Sequence, residues 1–342
     1  MDLLIASDGF LTRSVMESAL AQAGVDCTTR TIHTTWPTPA FGDIDDVIEA
    51  SGDVDELIAA LDGCEVAFSH VFPFTERVLR ASPDLRLVTI CRGGPVNVNV
   101  EAATRLGILV TFAPGRNAQS TAEHTVGMIL ALTRNIAERH REVVGGFWRT
   151  DSYLYENSGL EIGSSTVGLL GYGAVGSIVA RILQGFGATV LVYDPAAEPG
   201  HRDGMTFASD TREVLAESDI VSLHARVSPQ TRHMIDADAL ALMKPGALLV
   251  NCARGPLVDY DAVIDALGQG RLAGAAFDCL PVEPLPRDHP LLTAPGIVFT
   301  PHIGGASRQA SHLAARIGAE DIAAFAAGAR PKFAMNPEVL DR

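Results

Sequence analysis

The chain is short of positive charge: 26 lysines and arginines stand against 41 acids, for a formal charge of −15 and a pI near 5.0. Without a basic stripe to neutralise phosphates, a nucleic-acid surface or attraction to anionic membranes is not expected. An anionic small molecule would need arginines placed locally. Cysteine is scarce and unpatterned. Cys27, Cys64, Cys91, Cys252 and Cys279 are scattered, odd in number and free of any C-x-x-C pair, so neither a disulfide framework nor a metal site is expected, and they read as small buried residues. The N-terminus, MDLLIASDGFL, has no basic segment followed by a long apolar one, and no apolar run reaches membrane-spanning length. A cytoplasmic location is expected. What is present, 342 residues with 47% hydrophobic and 20% charged content, suits a globular chain long enough for two domains, each with its own core.

One stretch organises the rest: TVGLLGYGAVGSIVARILQGFGATVLVYD, from Thr166 to Asp194. Thr166 to Leu170 is an apolar run of strand length, and Gly171, Gly173 and Gly176 spell G-x-G-x-x-G. Ala174 to Phe186 then carries apolar residues at helical spacing, and Thr189 to Tyr193 is a second strand ending in Asp194. In such a unit the first glycine permits a sharp turn, the second lets a pyrophosphate approach the backbone, and the third lets the helix lie close to the strand. The helix N-terminus then faces the phosphates. Asp194 stands where an acid accepts hydrogen bonds from ribose hydroxyls and repels a 2′-phosphate, so the dinucleotide expected is NAD rather than NADP. Glycines alone would be a weak signal; strand, helix, second strand and terminal acid together specify the site.

Strand and helix patterns alternate before and after this stretch, as in parallel sheets covered by helices. Strands are expected at Leu3 to Ala6, Val25 to Ile32, Val66 to Ser69 and Leu85 to Cys91, with a turn-rich segment from Thr34 to Gly42. The segment CRGGPVNVN, starting at Cys91, follows a strand, and its Arg92, Gly93 and Gly94 read as a substrate-side loop because ligands collect at the carboxyl ends of such strands. Ser120-x-x-Glu123 reads as a capping box opening a long helix to about Val144. Further strands are expected at Asp219 to His224, Ala247 to Asn251, Ala273 to Phe277 and Ile297 to Thr300, and a closing helix from about Arg308 to Ala327.

Arg254, Glu283 and His302 stand at strand ends or in the loops just after them. Hydride transfer to a carbonyl needs a group to hold the substrate, one to protonate the oxygen and one to set that acid's pKa. An arginine, a histidine and a carboxylate supply all three. Singly, each has a bland explanation: a surface ion-pair member, a turn residue between prolines, a hydrogen-bonded structural histidine. Their joint occurrence, each beside Gly or Pro, favours the catalytic one.

The motifs GYGAVG, NCARGPLVD, FDCLPVEP and TPHIGGAS, with NAQSTAEHTVGMILALTRNI, resemble the D-isomer-specific 2-hydroxyacid dehydrogenase family, nearest its phosphoglycerate-dehydrogenase-like branch. The resemblance runs from about Leu85 to Ser311; the first eighty residues match in pattern only. It implies an α/β fold of two Rossmann-like or flavodoxin-like domains with parallel sheets, hinged around an active-site cleft. Residues 1–100 would begin a substrate domain, 101–305 would form the NAD-binding domain, and 306–342 would return to the first. It also implies that Arg254 binds the substrate carboxylate, His302 is the acid/base and Glu283 hydrogen-bonds it. Ala174 and Val175 would serve the pyrophosphate and Asp194 the ribose. His224, Ala225, Thr231, Cys252 and Ala253 would give strand-end contacts to the cofactor, and Asp278, Gly304 and Thr121 would lie near the nicotinamide. The substrate implied is a small anionic D-2-hydroxy acid or its 2-keto counterpart.

The chain departs from this pattern in the substrate loop, where Arg92 stands in place of a small residue, and Val96 and Asn99 in place of the usual acids. Arg92 is therefore expected to contact a second anionic or hydroxylated part of the substrate, such as a phosphate or a sugar-acid chain. Forty residues follow His302, so serine feedback through an added regulatory domain is not expected. Family analogy implies a homodimer with the long central helix and its flanks at the interface. Glu283 argues against formate-type chemistry, where glutamine pairs with the histidine. The alternative from another class is a corepressor-type scaffold that senses NAD(H) without turnover.

Overall fold

The computed structural model describes every residue except Pro39 and Arg342. The chain divides into two compact units, Met1–Asn117 with Ala306–Arg342, and Ala118–Gly305. The first begins β1 (Asp2–Ser7), α1 (Arg13–Gln22), β2 (Thr28–His33), β3 (Gly42–Ile44), β4 (Val47–Ala50) and α2 (Val54–Leu61). It continues β5 (Val66–Ser69), α3 (Glu76–Ala81), β6 (Leu87–Ile90), α4 (Val100–Leu106) and β7 (Leu109–Phe112). Five strands form a parallel sheet in the order β2-β1-β5-β6-β7. Its central strands are apolar on both faces, with β5 and β6 fully buried, as expected when helices cover both sides. Caps mark several helix starts: Thr12, Asp53, Thr75 and Asn99 each accept a first-turn N–H.

The second unit opens with α5 (Ala118–Thr133) and α6 (Ile136–Val144). It then runs β8 (Thr166–Leu170), α7 (Ala174–Gly185), β9 (Thr189–Tyr193), β10 (Gly200–Arg202), β11 (Met205–Phe207), α8 (Thr211–Glu217), β12 (Ile220–Leu223) and α9 (Ala237–Leu242). β13 (Ala247–Asn251), α10 (Tyr260–Gly268), β14 (Leu272–Phe277) and β15 (Ile297–Phe299) complete it. Its eight-stranded sheet has the order β10-β11-β9-β8-β12-β13-β14-β15, parallel apart from the β10/β11 hairpin. Apolar clusters fill both faces, one with Val221, Leu249, Val263 and Phe277, the other with Val167, Leu169, Val179 and Leu183. The last helix, α11 (Arg308–Ala326), returns to the first unit, where Ala314, Ala315, Ala319 and Ile322 pack with Leu3, Ile5 and Phe68. Among the described residues no helix is long and apolar enough to cross a membrane.

Three expectations are corrected, and one element is new. The first unit extends to Asn117, not to residue 100, because β7 joins the first sheet in register with β6, Leu87 opposite Leu109. Ser120 is not a cap: it lies inside α5, and its hydroxyl donates to Gly304 O at 2.8 Å. The long helix is two helices, since Asn135 adopts φ 53° and breaks the run between Thr133 and Ile136. The turn-rich segment is followed by an unforeseen antiparallel pair, β3 with β4.

Candidate active site

The fingerprint turn lies where strand order reverses in the second unit, between β8 and β12, the place where open α/β sheets take ligands. Gly171 has φ 112°, and a Cβ there would sit 2.6 Å from the His224 carbonyl carbon. A Cβ on Gly176 would sit 2.3 Å from Gly171 O, so α7 lies on the turn only because that position has no side chain. A Cβ on Gly173 would meet nothing within 4 Å, leaving open space beside a backbone that a phosphate could approach. Gly173 is also the N-cap of α7 and gives no side-chain cap, so the first-turn amides of Ala174 and Val175 remain for an anion. Asp194 Oδ2 accepts from Tyr172 N at 2.7 Å and Oδ1 from Ala196 N at 2.9 Å, which ties the acid at the end of β9 to the turn. These features fit a dinucleotide.

The strand-end residues differ among themselves. Burial pushes His224 down to about 4, so its ring is neutral, and Nε2 lies 3.0 Å from Ser222 Oγ. Thr231 donates to Arg226 O at 2.6 Å and thereby closes its own loop. Burial pushes the Cys252 thiol up to about 12. Ala225, Ala253 and Thr121 are partly buried.

His302 and Glu283 meet: Nδ1 of the histidine is 2.7 Å from Oε2 of the glutamate, while Oε1 accepts from Leu280 N at 2.9 Å. The imidazole keeps 35% of its side-chain surface exposed, so it is held yet reachable. Hydrogen bonds to Cys279 and Glu283 stabilise the imidazolium against burial and raise its pKa to about 10. Burial is the largest single influence on the Glu283 carboxyl and would raise it, but the bond to His302, the charge of that ring and the Leu280 amide together lower it. His302 has φ 52°, an uncommon conformation for a residue with a side chain.

Asp278 holds that conformation. Its carbonyl accepts from His302 N at 2.8 Å, Oδ1 accepts from Thr300 Oγ1 at 2.6 Å and Ile303 N at 2.9 Å, and Oδ2 from Gly304 N at 2.8 Å. Burial opposes its ionisation, yet bonds from His124, Thr300 and the Gly304 and Ile303 amides leave its pKa at about 2. It is a fixed anion clamping the loop that carries His302. Gly304 has no room for a side chain, since a Cβ would lie 2.8 Å from Asp278 Oδ2.

Arg254 is exposed, and its Nη1 donates to Ala253 O at 2.7 Å. The same carbonyl accepts from Cys279 Sγ at 3.3 Å. Gly255 brings this loop against the next, for a Cβ there would sit 2.1 Å from Leu280 O. Donor atoms of Cys279, Glu283 and His302 lie within 4.8 Å of one another. Arg254 after β13 and Cys279 after β14 thus share the Ala253 carbonyl, and Cys279 in turn lies beside Glu283 and His302, the last of them after β15. The sequence reading missed Cys279 and His124. The first stood inside FDCLPVEP but was taken only as a small buried residue; the second, whose Nε2 is 2.9 Å from Thr300 Oγ1, stood inside NAQSTAEHTVGMILALTRNI but was given no role.

In the first unit, Arg92 follows β6 and pairs with the Glu49 carboxylate, with Nη1 donating to Glu49 O at 2.8 Å. Its guanidinium also stacks over the Phe41 ring, 5.4 Å from the centroid. Cβ atoms on Gly93 and Gly94 would meet nothing within 4 Å.

Residues 126–304 match the profile of the D-isomer specific 2-hydroxyacid dehydrogenase, NAD binding domain. The chain is 37% identical over 266 residues to the glyoxylate reductase of Thermofilum pendens, covering 77% of this chain and 78% of that one. It is 36% identical over 250 residues to the D-3-phosphoglycerate dehydrogenase of Methanocaldococcus jannaschii, covering 72% of this chain but 47% of the relative. Among solved structures it resembles the NAD-complexed D-isomer specific 2-hydroxyacid dehydrogenase of Lactobacillus delbrueckii ssp. bulgaricus, with a TM-score of 0.78 at 27% identity over 98% of this chain and 100% of that one. The D-lactate dehydrogenase of Lactobacillus jensenii with NAD+ gives a TM-score of 0.78 at 27% identity, over 97% and 99% of the two chains.

Proposed function

Because the chain belongs to the D-isomer specific 2-hydroxyacid dehydrogenase family, we propose that it interconverts a small D-2-hydroxy acid and its 2-keto acid, with His302 as acid/base, Glu283 as its partner and Arg254 as the carboxylate anchor. It is an NAD-dependent oxidoreductase. NADH, when bound, supplies the hydride for the carbonyl carbon. The residues that would hold it are the turn from Gly171 to Gly176 and Asp194, supported by the strand-end positions His224, Ala225, Thr231, Cys252 and Ala253 and by Thr121 and Gly304.

The protein's own part is to hold the keto acid and deliver a proton. Arg254 pairs with the carboxylate and polarises the adjacent carbonyl. His302, protonated at neutral pH, gives its proton to the carbonyl oxygen as the hydroxyl forms; in the reverse direction neutral His302 takes that proton back. Glu283 favours the charged ring, and Asp278 acts by positioning the loop. The observation that carries this reading is the 2.7 Å His302–Glu283 pair on a loop clamped by Asp278.

The relatives' names bracket the substrates to try: glyoxylate, and a phosphorylated three-carbon acid. Arg92, Gly93 and Gly94 are the candidates for contact with the substrate's remaining part, phosphorylated or sugar-acid-like. NADH consumption by the purified protein against a panel of 2-keto acids tests the reading. Tight NADH binding with no turnover on any of them would favour the sensing scaffold instead.

A homodimer fits the exposed apolar run after α5, where Val144 is 74% exposed, Trp148 82%, Tyr153 96% and Tyr155 95%, more than an isolated surface should show. Light scattering on the wild type and on Trp148→Ser checks it. The cytoplasm suits five unpaired cysteines.

A further inference from the structure

The first unit has its own reversal of strand order, between β1 and β5. Asp8 immediately follows β1 and His70 immediately follows β5, so both sit where a ligand is expected in such a sheet. Their side chains are joined: His70 Nδ1 is 2.8 Å from Asp8 Oδ2, while Asp8 Oδ1 accepts from Phe10 N at 2.7 Å and Leu11 N at 2.8 Å. Burial lowers His70 to about 4 despite Asp8, so the ring is neutral, with its Nδ1–H given to Asp8 and Nε2 left as an acceptor. Arg116, in the loop after β7, approaches that nitrogen with Nη2 at 3.5 Å.

Arg116 is the anomaly. Its Nε and Nη1 are closed off from solvent and have no acceptor among the described residues. Burial lowers its pKa to about 10, which still leaves it cationic at neutral pH. The other buried side-chain atoms without partners in the described residues are Ser69 Oγ and Asn97 Oδ1. Ser69 precedes His70 in the chain, and Asn97 holds the His70 carbonyl with Nδ2 at 3.2 Å. Asn97 bonds the Phe72 carbonyl as well, at 2.8 Å, so Arg116 alone carries unanswered donors on a cation. Buried polar groups are nearly always satisfied, and here two of the three guanidinium nitrogens of a cation are not, the third reaching only His70. Aromatic rings complete the surroundings: Phe10 under Arg116 at 5.6 Å, and Trp36 5.2 Å from the His70 ring.

We propose that Arg116, with the Asp8–His70 pair and the Phe10 and Trp36 rings, forms an oxyanion site in the first unit that takes a carboxylate or phosphate group. Asp8 is fully engaged by His70 and two amides, so its charge fixes the histidine rather than repelling the ligand. The ligand answers the free donors of Arg116. It has two possible sources: the second acidic group of a dianionic 2-keto acid, which rests on the dehydrogenase reading, or a free oxyanion, which does not.

Trp36 and Trp148 are the two tryptophans of the chain, and only the first lies at the site. In 5-fluorotryptophan-labelled full-length protein, inorganic phosphate or malonate is expected to shift the Trp36 fluorine resonance saturably while leaving Trp148 unmoved. Arg116→Met should weaken that response roughly tenfold or more, the loss of a charge-assisted bond, and should melt no lower than the parent, because two donors without acceptors leave with the guanidinium while the methionine stem keeps the packing on Phe10. Arg116→Lys should restore part of the response. A Trp36 resonance unmoved by either anion would mean that ordered water alone fills the site, and a clearly lower melting point for Arg116→Met would mean a structural arginine; either overturns the proposal. Kinetics separate the sources. A KM raised for oxaloacetate but not pyruvate in Arg116→Met identifies the substrate's second acid, and unchanged KM values with phosphate binding retained in the wild type identify a free anion. The fluorine readout needs no turnover, so it stands even if the hydride-transfer reading fails.

Discussion

At the point where strand order reverses, the second unit places Gly171 against His224 and the first places Asp8 against His70. The topological opportunity is the same, and the chain uses it in opposite ways. In the second unit side chains are withheld: glycines bring helix, turn and neighbouring strand together, and recognition falls to backbone amides and one distant acid. In the first unit side chains are supplied, and the polar atoms they leave unanswered mark the place. A site made by removing side chains tolerates no additions, whereas one made by adding them can change its ligand by single substitutions.

The largest effect should come from the chemistry at the end of the second sheet. His302→Ala is expected to lower kcat for keto-acid reduction by about 10²–10⁴-fold while NADH binding, followed by fluorescence, is retained. Next, Gly176→Ala should disturb the turn itself, because the new Cβ would lie 2.3 Å from Gly171 O. A loss of about 1–3 kcal/mol in stability, with weakened NADH binding, is the expected outcome in denaturation and titration. No single alanine in the first unit's reversal should weaken NADH binding in this way, which sharpens the contrast.

A smaller change is expected from Asp194→Ala, which removes the acid that accepts from Tyr172 N. The ratio of NADH to NADPH utilisation should fall, measured as the two specificity constants. Smaller still is the electrostatic contribution of His302 to folding. Its pKa is raised above that of an unfolded histidine, so the contribution is complete below about 6.5 and is lost as pH rises toward about 10. Urea midpoints for the wild type should decline across that window more than those of His302→Ala.

How much of this could be read in advance follows the same contrast. The glycine turn was legible because its spacing is set by the backbone: Gly171, Gly173 and Gly176 each answer a steric need that nothing else in the sequence can meet. Glu283 and His302, which meet at 2.7 Å, could be singled out because they sit in loops after strands inside recognisable motifs, and Arg254 was singled out on the same ground. The hairpins β3/β4 and β10/β11 were not, since three-residue and four-residue strands carry too little periodicity. Asn135 hid inside a run of helical pattern, where local backbone geometry overrode it. Asp8, His70 and Arg116 lie 62 and 46 residues apart in sequence with no spacing rule to join them, and only the sheet brings them together. Arg92 was noticed as an odd charge, yet its pairing with Glu49 depends on a strand the pattern did not reveal.

The account rests on an imidazolium held ready beside Glu283, and the pH dependence of kcat/KM for NADH-driven reduction of a 2-keto acid reads it directly. The profile should stay level through neutral pH and fall with a midpoint near 10, moving to lower pH in Glu283→Gln. A midpoint unchanged by Glu283→Gln, or reduction that survives undiminished in His302→Ala, would contradict it.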